Sequence, residues 1–302
     1  MKVIGFDTSN YTTSIAAFDG SDGVNCSRLL PVKPGELGLR QSDAVFSHTK
    51  SLPELSGRLF SDVGEIAAVG VSTRPRAVEG SYMPCFMVGY SHAKLLSDAL
   101  GVPLFEVSHQ QGHVAACLWS AGRLDLMDRP HLAWHLSGGT TELLLVEPEG
   151  RNVKCTKIGG TTDISAGQLI DRTGVMLELP FPAGKHVDAL SQDAVNTDIF
   201  KVKCSGLDFS LSGVQNKVQQ YAEHNPLAET AAYALRCVCY AVQTATKNAQ
   251  KQYPDLEVVF SGGVASNSML RRVMSDAVFA EPVYSTDNAM GVAVLTHRLL
   301  EG

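Results

Sequence analysis

Apolar and polar residues alternate in blocks along the chain, and the first block opens on an apolar run. Residues 3–7 predict a strand, the hydroxyl-rich residues 8–13 a turn, and residues 14–18 a returning strand. Residues 24–30 extend this meander by a third strand. The pattern then predicts, in order, a helix, a strand, a helix and a strand, at residues 42–62, 67–72, 81–100 and 104–107.

The same order of elements begins again near residue 131. Residues 131–136 predict a strand, Ser137-Gly-Gly-Thr-Thr141 a turn and residues 142–146 the returning strand. A third strand and a helix follow, and then a Pro- and Gly-rich stretch leads into mostly helical sequence up to about residue 252. The remaining predicted elements are strands at 153–158 and 256–260 and helices at 164–177, 266–276 and 288–300.

Two blocks that each begin with strand, polar turn and strand are typical of the α/β fold of actin, hexokinase and Hsp70. This pattern predicts two lobes with a duplicated core and a nucleotide cleft between them, where backbone N–H groups of the turns hold phosphates. We expect residues 1–125 to form the first lobe, with the helix at 288–302 packed back on it, and residues 126–287 the second. Ordinary hairpin turns remain the alternative explanation of Ser-Gly-Gly at 137–139 and 261–263.

Composition describes an ordinary globular protein. The 302 residues are 44% hydrophobic and 19% charged, and no apolar run is long enough for a membrane span. The absence of a signal-peptide pattern favours a cytoplasmic protein. The seven cysteines have no paired spacing, which favours reduced thiols over a disulfide framework or a zinc ribbon. With a net charge of −6, an RNA partner would have to meet a local basic patch or a second subunit.

The segment His109-Gln-Gln-Gly-His113 is the strongest candidate for chemistry. On a helix, residues four apart lie on one face about 5–6 Å from each other, so both imidazoles can hold one metal ion. A short apolar strand precedes the segment, and Ser108 is a candidate N-cap for the helix. Peptidase chemistry of the H-E-x-x-H type is disfavoured, because Gln110 stands where the general base would be.

A second histidine pair with the same spacing, His131 and His135, lies in a predicted strand. At about 3.3 Å per residue these two side chains would be about 13 Å apart, too far to share an ion. We therefore interpret His131 and His135 as structural.

Eight ordered motifs show a resemblance that spans almost the whole chain. The sequence resembles the catalytic-subunit family of tRNA N6-threonylcarbamoyladenosine synthases, formerly described as O-sialoglycoprotein endopeptidases. The motifs that carry the resemblance are Phe6-Asp-Thr-Ser9, His109-Gln-Gln-Gly-His113, Ser137-Gly-Gly-Thr-Thr141, Ser165-Ala-Gly-Gln-Leu-Ile-Asp171, Leu179-Pro-Phe-Pro-Ala-Gly184, Asp208-Phe-Ser-Leu-Ser-Gly213, Ser261-Gly-Gly-Val-Ala-Ser-Asn267 and Ser285-Thr-Asp-Asn-Ala-Met290.

The resemblance implies a metal site and a nucleotide site. The family's metal ligands match His109, His113 and Asp287, a set that suits one divalent ion of iron or zinc. An adenylate or ATP-type nucleotide would be held by residues that match the family's nucleotide site, although a helix cap or a solvated face remains the alternative role of each Asp. The matching residues are Ser137, Gly138, Gly139, Thr140, Asp171, Gly184, Asp188 and Asn267.

The implied activity is that of an acyltransferase enzyme. It would move a threonylcarbamoyl group from threonylcarbamoyl-adenylate to N6 of the adenosine next to the anticodon of tRNA. The implied partners are tRNA, a smaller paralogue of the same fold and an ATPase subunit, with no membrane involved. A sugar or acetate kinase of the same fold is disfavoured, because no catalytic Asp stands in the expected context.

Departures from the family pattern keep a second hypothesis open. Gln111 and Gln168 stand where the family usually has Glu, and Arg74 and Arg76 replace the glycines of a Gly-Pro-Gly loop. The two arginines could contact phosphate of a ligand or RNA, or be solvated loop charges. The alternative to the transferase is thus a divergent paralogue, which binds nucleotide and metal as a non-catalytic or scaffold subunit or acts on a changed substrate.

Overall fold

A computed structural model describes residues 1–31, 39–61 and 63–302. The chain divides into two compact units. Unit 1 consists of Met1–Pro130, Glu147–Cys155 and Asp287–Gly302, and unit 2 consists of His131–Val146 and Thr156–Thr286. The first boundary lies after Pro130, directly before the strand that begins at His131, whereas the predicted first lobe ends at residue 125. Glu147–Cys155 and Asp287, which fall in the predicted second lobe, belong to unit 1.

Unit 1 is built on a five-stranded sheet. The strands are ordered β3-β2-β1-β4-β5, the first three antiparallel and the last two added in parallel. The strands are β1 (Lys2–Thr8), β2 (Thr12–Phe18), β3 (Gly23–Leu29), β4 (Ile66–Arg74) and β5 (Leu104–Ser108). The helices of this unit are α1 (Gln41–Phe60), α2 (Phe86–Leu100), α3 (His109–Ser120) and, at the end of the chain, α9 (Met290–Leu300).

A second sheet repeats this order and extends it. It runs β12-β11-β6-β7-β8-β10-β9, so that β8-β7-β6-β11-β12 repeats the order of unit 1 and the last two strands are additions. The strands are β6 (His131–Leu136), β7 (Thr141–Glu149), β8 (Asn152–Thr161), β9 (Cys204–Ser205), β10 (Asp208–Phe209), β11 (Val258–Ser261) and β12 (Val278–Phe279). Its helices are α4 (Ala166–Met176), α5 (Gly184–Ser191), α6 (Ser212–Ala222), α7 (Leu227–Gln252) and α8 (Ser268–Val273). The predicted duplicated core is confirmed.

Some predicted boundaries differ from the structure for local reasons. The helix predicted at 81–100 begins only at Phe86, after Pro84, which disfavours helical geometry at the residue before it. The helix predicted at 266–276 begins only at Ser268, because the Asn267 side chain caps it by accepting a hydrogen bond from Leu270 N at 3.0 Å, and it ends at Val273. The predicted end of the first helix at residue 62 lies outside the described residues, and α1 ends at Phe60.

Each unit has its own apolar core. In unit 1, alternate residues of β1 and β4 such as Ile4 and Val69 pack against α1 and α2. In unit 2, the core gathers around β6 and the long helix α7, where Trp134 donates its indole N–H to Thr246 Oγ1 at 2.8 Å. None of the described helices is long and apolar enough to cross a membrane.

Helices α3 and α9 of unit 1 meet at two glycines. A methyl group on Gly291 of α9 would overlap the carbonyl oxygen of Gly112 in α3 and would lie 2.8 Å from the backbone nitrogen of Ala116. Gly112 stands between His109 and His113, and Gly291 follows Asp287 by four residues. The contact between the two backbones therefore sets the distance between the candidate metal ligands.

We predict that Gly291→Ala lowers the free energy of unfolding by about 2–3 kcal/mol, because the added methyl must push the two helices apart. Urea denaturation followed by circular dichroism measures the change. Gly57→Ala is the control, since Gly57 lies on the exposed side of α1 and its added methyl meets no described atom within 4 Å. That variant should be neutral or more stable by up to about 1 kcal/mol, and equal stability of the two variants would contradict the prediction.

Candidate metal centre and nucleotide-binding residues

The first two turns of α3 carry the two candidate histidine ligands. As predicted, Ser108 caps this helix, and its hydroxyl accepts a hydrogen bond from Gln111 N at 3.2 Å. The side-chain oxygen Oε1 of Gln111 in turn accepts a hydrogen bond from Ser108 N at 2.8 Å, which completes a capping box. These two reciprocal hydrogen bonds fix the start of α3 and, with it, the positions of His109 and His113.

Three candidate ligand atoms converge in unit 1. His113 Nε2 lies 2.9 Å from His109 Nε2 and 3.2 Å from Asp287 Oδ1, and His109 Nε2 lies 3.6 Å from the same oxygen. Within the described part of the chain, these residues form the one group of three His, Cys, Asp or Glu side chains suited to hold a metal ion. His113 and Asp287 are 174 positions apart in sequence, and the packing of α9 on α3 brings them together.

The three atoms fit a divalent ion of the predicted kind. Ligand atoms at about 2.0–2.1 Å from a tetrahedral ion lie about 3.3 Å from one another, and the observed distances of 2.9, 3.2 and 3.6 Å bracket that value. Two imidazoles and one carboxylate form a donor set used by both zinc and iron, with coordination positions left for a substrate. His109, His113 and Asp287 would thus hold the ion.

Further polar side chains stand behind these ligands. His109 Nδ1 lies 3.0 and 3.1 Å from the two carboxylate oxygens of Asp7, and the Ser9 hydroxyl donates to Asp287 Oδ2 at 3.0 Å. Burial disfavours the charged form of His109, but Asp7 and Asp287 outweigh burial and raise its pKa to about 9. Burial also disfavours charge on Asp287, yet His113, His109 and Ser9 hold the pKa of its carboxyl well below the usual range.

The two glutamines that depart from the family pattern have a structural role at helix starts. Gln168 forms the same capping box with Ser165 at the start of α4 as Gln111 forms with Ser108 at the start of α3. Glu and Gln serve equally at this position, because only the carbonyl-type oxygen is needed. The Gln111 amide also donates to Val153 O at 2.7 Å, a bond that a carboxylate could not make.

Of the two arginines that stand in place of glycines, Arg74 is the last residue of β4 and Arg76 lies in the loop that follows. The register of β4 on β5 shifts between Ser72 and Arg74, and both Arg74 and Arg76 are exposed. Pro75 O accepts a hydrogen bond from Gln110 N at 3.0 Å, so this loop is attached to the first turn of α3.

In unit 2, the predicted phosphate turn closes on itself and on helix α4. Ser137 N donates to Thr140 O at 2.8 Å, and Thr140 N donates to the Ser137 hydroxyl at 3.1 Å. A methyl on Gly167 of α4 would lie 2.5 Å from Gly138 Cα, so the start of α4 rests against the turn. Methyls on Gly138 or Gly139 would meet no described atom within 4 Å. Internal packing therefore does not explain these two glycines, and their backbone is open to a ligand.

The other four predicted nucleotide residues form one connected group in unit 2. Asp171 Oδ1 accepts from Ala183 N at 2.9 Å, directly before Gly184 opens α5. Burial raises the pKa of Asp171 against the effect of that hydrogen bond. One turn further along α5, Asp188 accepts from the Asn267 amide at 2.9 Å.

Asp188 also has the role of a helix cap. Its carboxylate accepts from Ser268 N at 3.0 Å and from the Ser268 hydroxyl at 2.8 Å, at the start of α8. A helix cap was the alternative to ribose binding expected for each Asp, and Asp188 has this capping role.

The second histidine pair belongs to a different unit from the predicted ligands. His131 and His135 lie on strand β6 in unit 2, both buried, and His135 Nδ1 lies 3.4 Å from the Ser261 hydroxyl. Sequence reasoning missed Asp7 and Ser9 as hydrogen-bond partners of the candidate ligands His109 and Asp287. The motif Phe6-Asp-Thr-Ser9 was the available signal, since it places a carboxylate and a hydroxyl at the end of the first strand.

Sequence comparison assigns the chain to a family. The sequence model of TsaD, tRNA N6-adenosine threonylcarbamoyltransferase, matches residues 42–294. A relative of that name from Carboxydothermus hydrogenoformans is 34% identical over 253 residues, which cover 79% of this chain and 73% of the relative. Another from Halalkalibacterium halodurans is 32% identical over 232 residues, covering 74% of this chain and 64% of the relative.

Structural comparison confirms the predicted fold class. Full-length HypF, solved in a phosphate- and nucleotide-bound form, matches 100% of this chain and 47% of its own with a TM-score of 0.65 at 14% identity. The ROK hexokinase from Thermus thermophilus matches 98% of this chain and 99% of its own with a TM-score of 0.52 at 15% identity. At these identities the likeness shows the fold alone, which is the actin, hexokinase and Hsp70 type.

The family match and the fold agree with each other. The matched residues 42–294 include the two helix starts with capping boxes, the turn at 137–140 and Asp287. The relatives are named as transferases, so the prediction that the chain resembles an enzyme family is confirmed. The chain belongs to the TsaD family of tRNA N6-adenosine threonylcarbamoyltransferases.

Proposed function

We propose that this chain transfers a threonylcarbamoyl group from threonylcarbamoyl-adenylate to N6 of the adenosine beside the anticodon of tRNA, with one divalent ion bound in unit 1. The observation that carries the proposal is the convergence of His109, His113 and Asp287 on one point, in a chain of this family. Zinc and iron both fit the donor set. We also propose a cytoplasmic location and, as partners, a smaller paralogue of the same fold and an ATPase.

The ion, when bound, would act as a Lewis acid on a carbonyl or carboxylate oxygen of the donor. The chain's own groups would bind and orient the donor. The open backbone of Gly138 and Gly139 would donate N–H groups to its anionic oxygens. Asp171 and Asp188 would accept hydrogen bonds from ribose hydroxyls, with Gly184 and Asn267 beside them.

Catalysis would depend on positioning and on activation of the donor. The exocyclic amine of adenosine is a poor nucleophile, so holding it close to the carbonyl carbon supplies much of the rate. No strong general base stands among the residues of the eight family motifs. The amine proton would therefore leave to solvent or to the departing phosphate.

The non-catalytic alternative has less support than it has from sequence alone. Gln111 and Gln168 complete capping boxes, so their amide side chains are explained without any loss of activity. Arg74 and Arg76 are the departures that still favour a changed substrate, because they bring two exposed cations to the loop attached to α3.

We predict that purified chain binds about one zinc or iron ion. His113→Ala and Asp287→Asn should each weaken binding at least about 100-fold, because the first removes one of three protein ligands and the second replaces the anionic ligand by a neutral amide. Elemental analysis after gel filtration measures the stoichiometry. His224→Ala, which changes an exposed histidine, is the control and should bind as the wild type does. Metal content that is unchanged in both ligand variants would refute the site.

We predict that the chain modifies tRNA when it is given threonylcarbamoyl-adenylate and the two partner subunits. Mass spectrometry of nuclease-digested tRNA detects the modified nucleoside. His113→Ala should lower kcat/KM at least about 100-fold, the loss of several kcal/mol of Lewis-acid stabilisation, while His224→Ala should not change it. If folded, metal-loaded chain gives no product beside an active relative assayed in parallel, the non-catalytic alternative is correct.

A further inference from the structure

We infer that Asp7 and Ser9, at the end of strand β1, are positioning residues that orient two of the three metal ligands. The inference rests on the proposed metal site and goes beyond it, because neither residue would touch the ion. Each holds a ligand by the atom that points away from the other ligands. Both come from one short segment, Asp7-Thr8-Ser9.

Asp7 determines which nitrogen of His109 faces the other ligands. A carboxylate can only accept hydrogen bonds, so the proton between Asp7 and His109 belongs to Nδ1, which lies 3.0 and 3.1 Å from the two oxygens. The Nε2 atom is thereby directed at His113 and Asp287 as the coordinating atom. Metal-binding histidines commonly have such a carboxylate on the second nitrogen, and it fixes both the tautomer and the ring plane.

Asp7 is itself held in one orientation. The residue is buried, and the Ser72 hydroxyl of strand β4 donates to the oxygen that also faces His109. A buried carboxylate is costly unless it is paired and hydrogen-bonded, and here both conditions are met. The chain thus maintains a buried carboxylate whose described hydrogen-bond donors are His109 and Ser72.

Ser9 does for Asp287 what Asp7 does for His109. Its hydroxyl donates to Oδ2 of Asp287 at 3.0 Å, and the other oxygen, Oδ1, faces His113 at 3.2 Å. This hydrogen bond limits rotation of the carboxylate and presents a single oxygen to the ion. Ser9 is buried, so water does not compete freely for the same position.

Strand β1, which contains Asp7 and ends one residue before Ser9, touches the helix that follows Asp287. Strand β1 lies between β2 and β4 in the sheet. A methyl on Gly5 would lie 2.6 Å from Ala293 N and 2.7 Å from Ala289 O, so α9 rests directly on this strand. Asp7 and Ser9 are therefore placed relative to Asp287 by backbone packing, which is the requirement for an orienting role.

The test is the affinity of the folded protein for Zn²⁺, measured by competition with a chelating dye. We expect Asp7→Asn to weaken binding about 10–100-fold and Ser9→Ala about tenfold, the range found for hydrogen-bond partners of metal ligands. Ser72→Ala should also weaken binding although it leaves every charge in place, which separates orientation from simple loss of a negative charge. Ser56→Ala, a serine of α1 that bonds to Pro53 O, is the matched control and should not change affinity.

A second readout separates orientation from folding. With Co²⁺ as the probe, the visible absorption bands of Asp7→Asn should differ from those of the wild type, because a reoriented imidazole changes the coordination geometry. Circular dichroism of chelator-treated protein shows whether each variant is folded. If Asp7→Asn does not fold, the Zn²⁺ affinity of Ser9→Ala tests the positioning role, since this substitution removes one oxygen and no charge.

The outcomes distinguish this inference from the proposed function. Wild-type protein that binds neither Zn²⁺ nor Co²⁺ would remove the metal site and with it the proposed function. Wild-type protein that binds Zn²⁺, together with Asp7→Asn and Ser9→Ala variants of equal affinity and unchanged Co²⁺ spectra, would overturn the positioning role alone.

Discussion

The contact between helices α3 and α9 is the constraint on which the candidate site depends. His109 and His113 precede and follow Gly112, and Asp287 lies four residues before Gly291. The backbones meet so closely at the two glycines that a methyl on Gly291 has no room. Because packed interiors resist small displacements, this contact fixes the distance between two imidazoles and a carboxylate that are far apart in sequence. A looser crossing would leave the same residues without a common point.

Charge balance is the second requirement of this part of unit 1. Two carboxylates, Asp7 and Asp287, and two imidazoles lie within hydrogen-bond distance of one another with little access to water. Without an ion, the carboxylates raise the pKa of His109 to about 9, against the effect of burial. A divalent cation would supply the positive charge instead. The cluster is thus arranged so that a cation and a proton compete for the same imidazole.

Much of the fold could be predicted because local patterns carry it. Apolar runs separated by polar turns, at residues 3–18 and 131–146, predict the strand–turn–strand start of each half. Ser108 is a local N-cap signal for the start of α3. The two-residue strands β9 and β10 escaped prediction because such short elements form only through their pairing with β8 and with each other. The contacts of Asp7, Ser9 and Ser72 escaped for the same reason, since they join positions up to 278 residues apart.

The structure explains two of the four departures from the family pattern. From sequence alone, Gln111 and Gln168 are lost carboxylates beside a supposed site, whereas in the structure both complete a capping box. Arg74 and Arg76, which stand where the resemblance implies glycines, have no such structural explanation.

A crystal structure of the zinc- or iron-loaded protein with anomalous diffraction data would test the metal site most directly. We expect one strong anomalous peak about 2.0–2.2 Å from His109 Nε2, His113 Nε2 and a carboxylate oxygen of Asp287. A metal peak elsewhere, or none at these residues in protein shown to contain the ion, would contradict it.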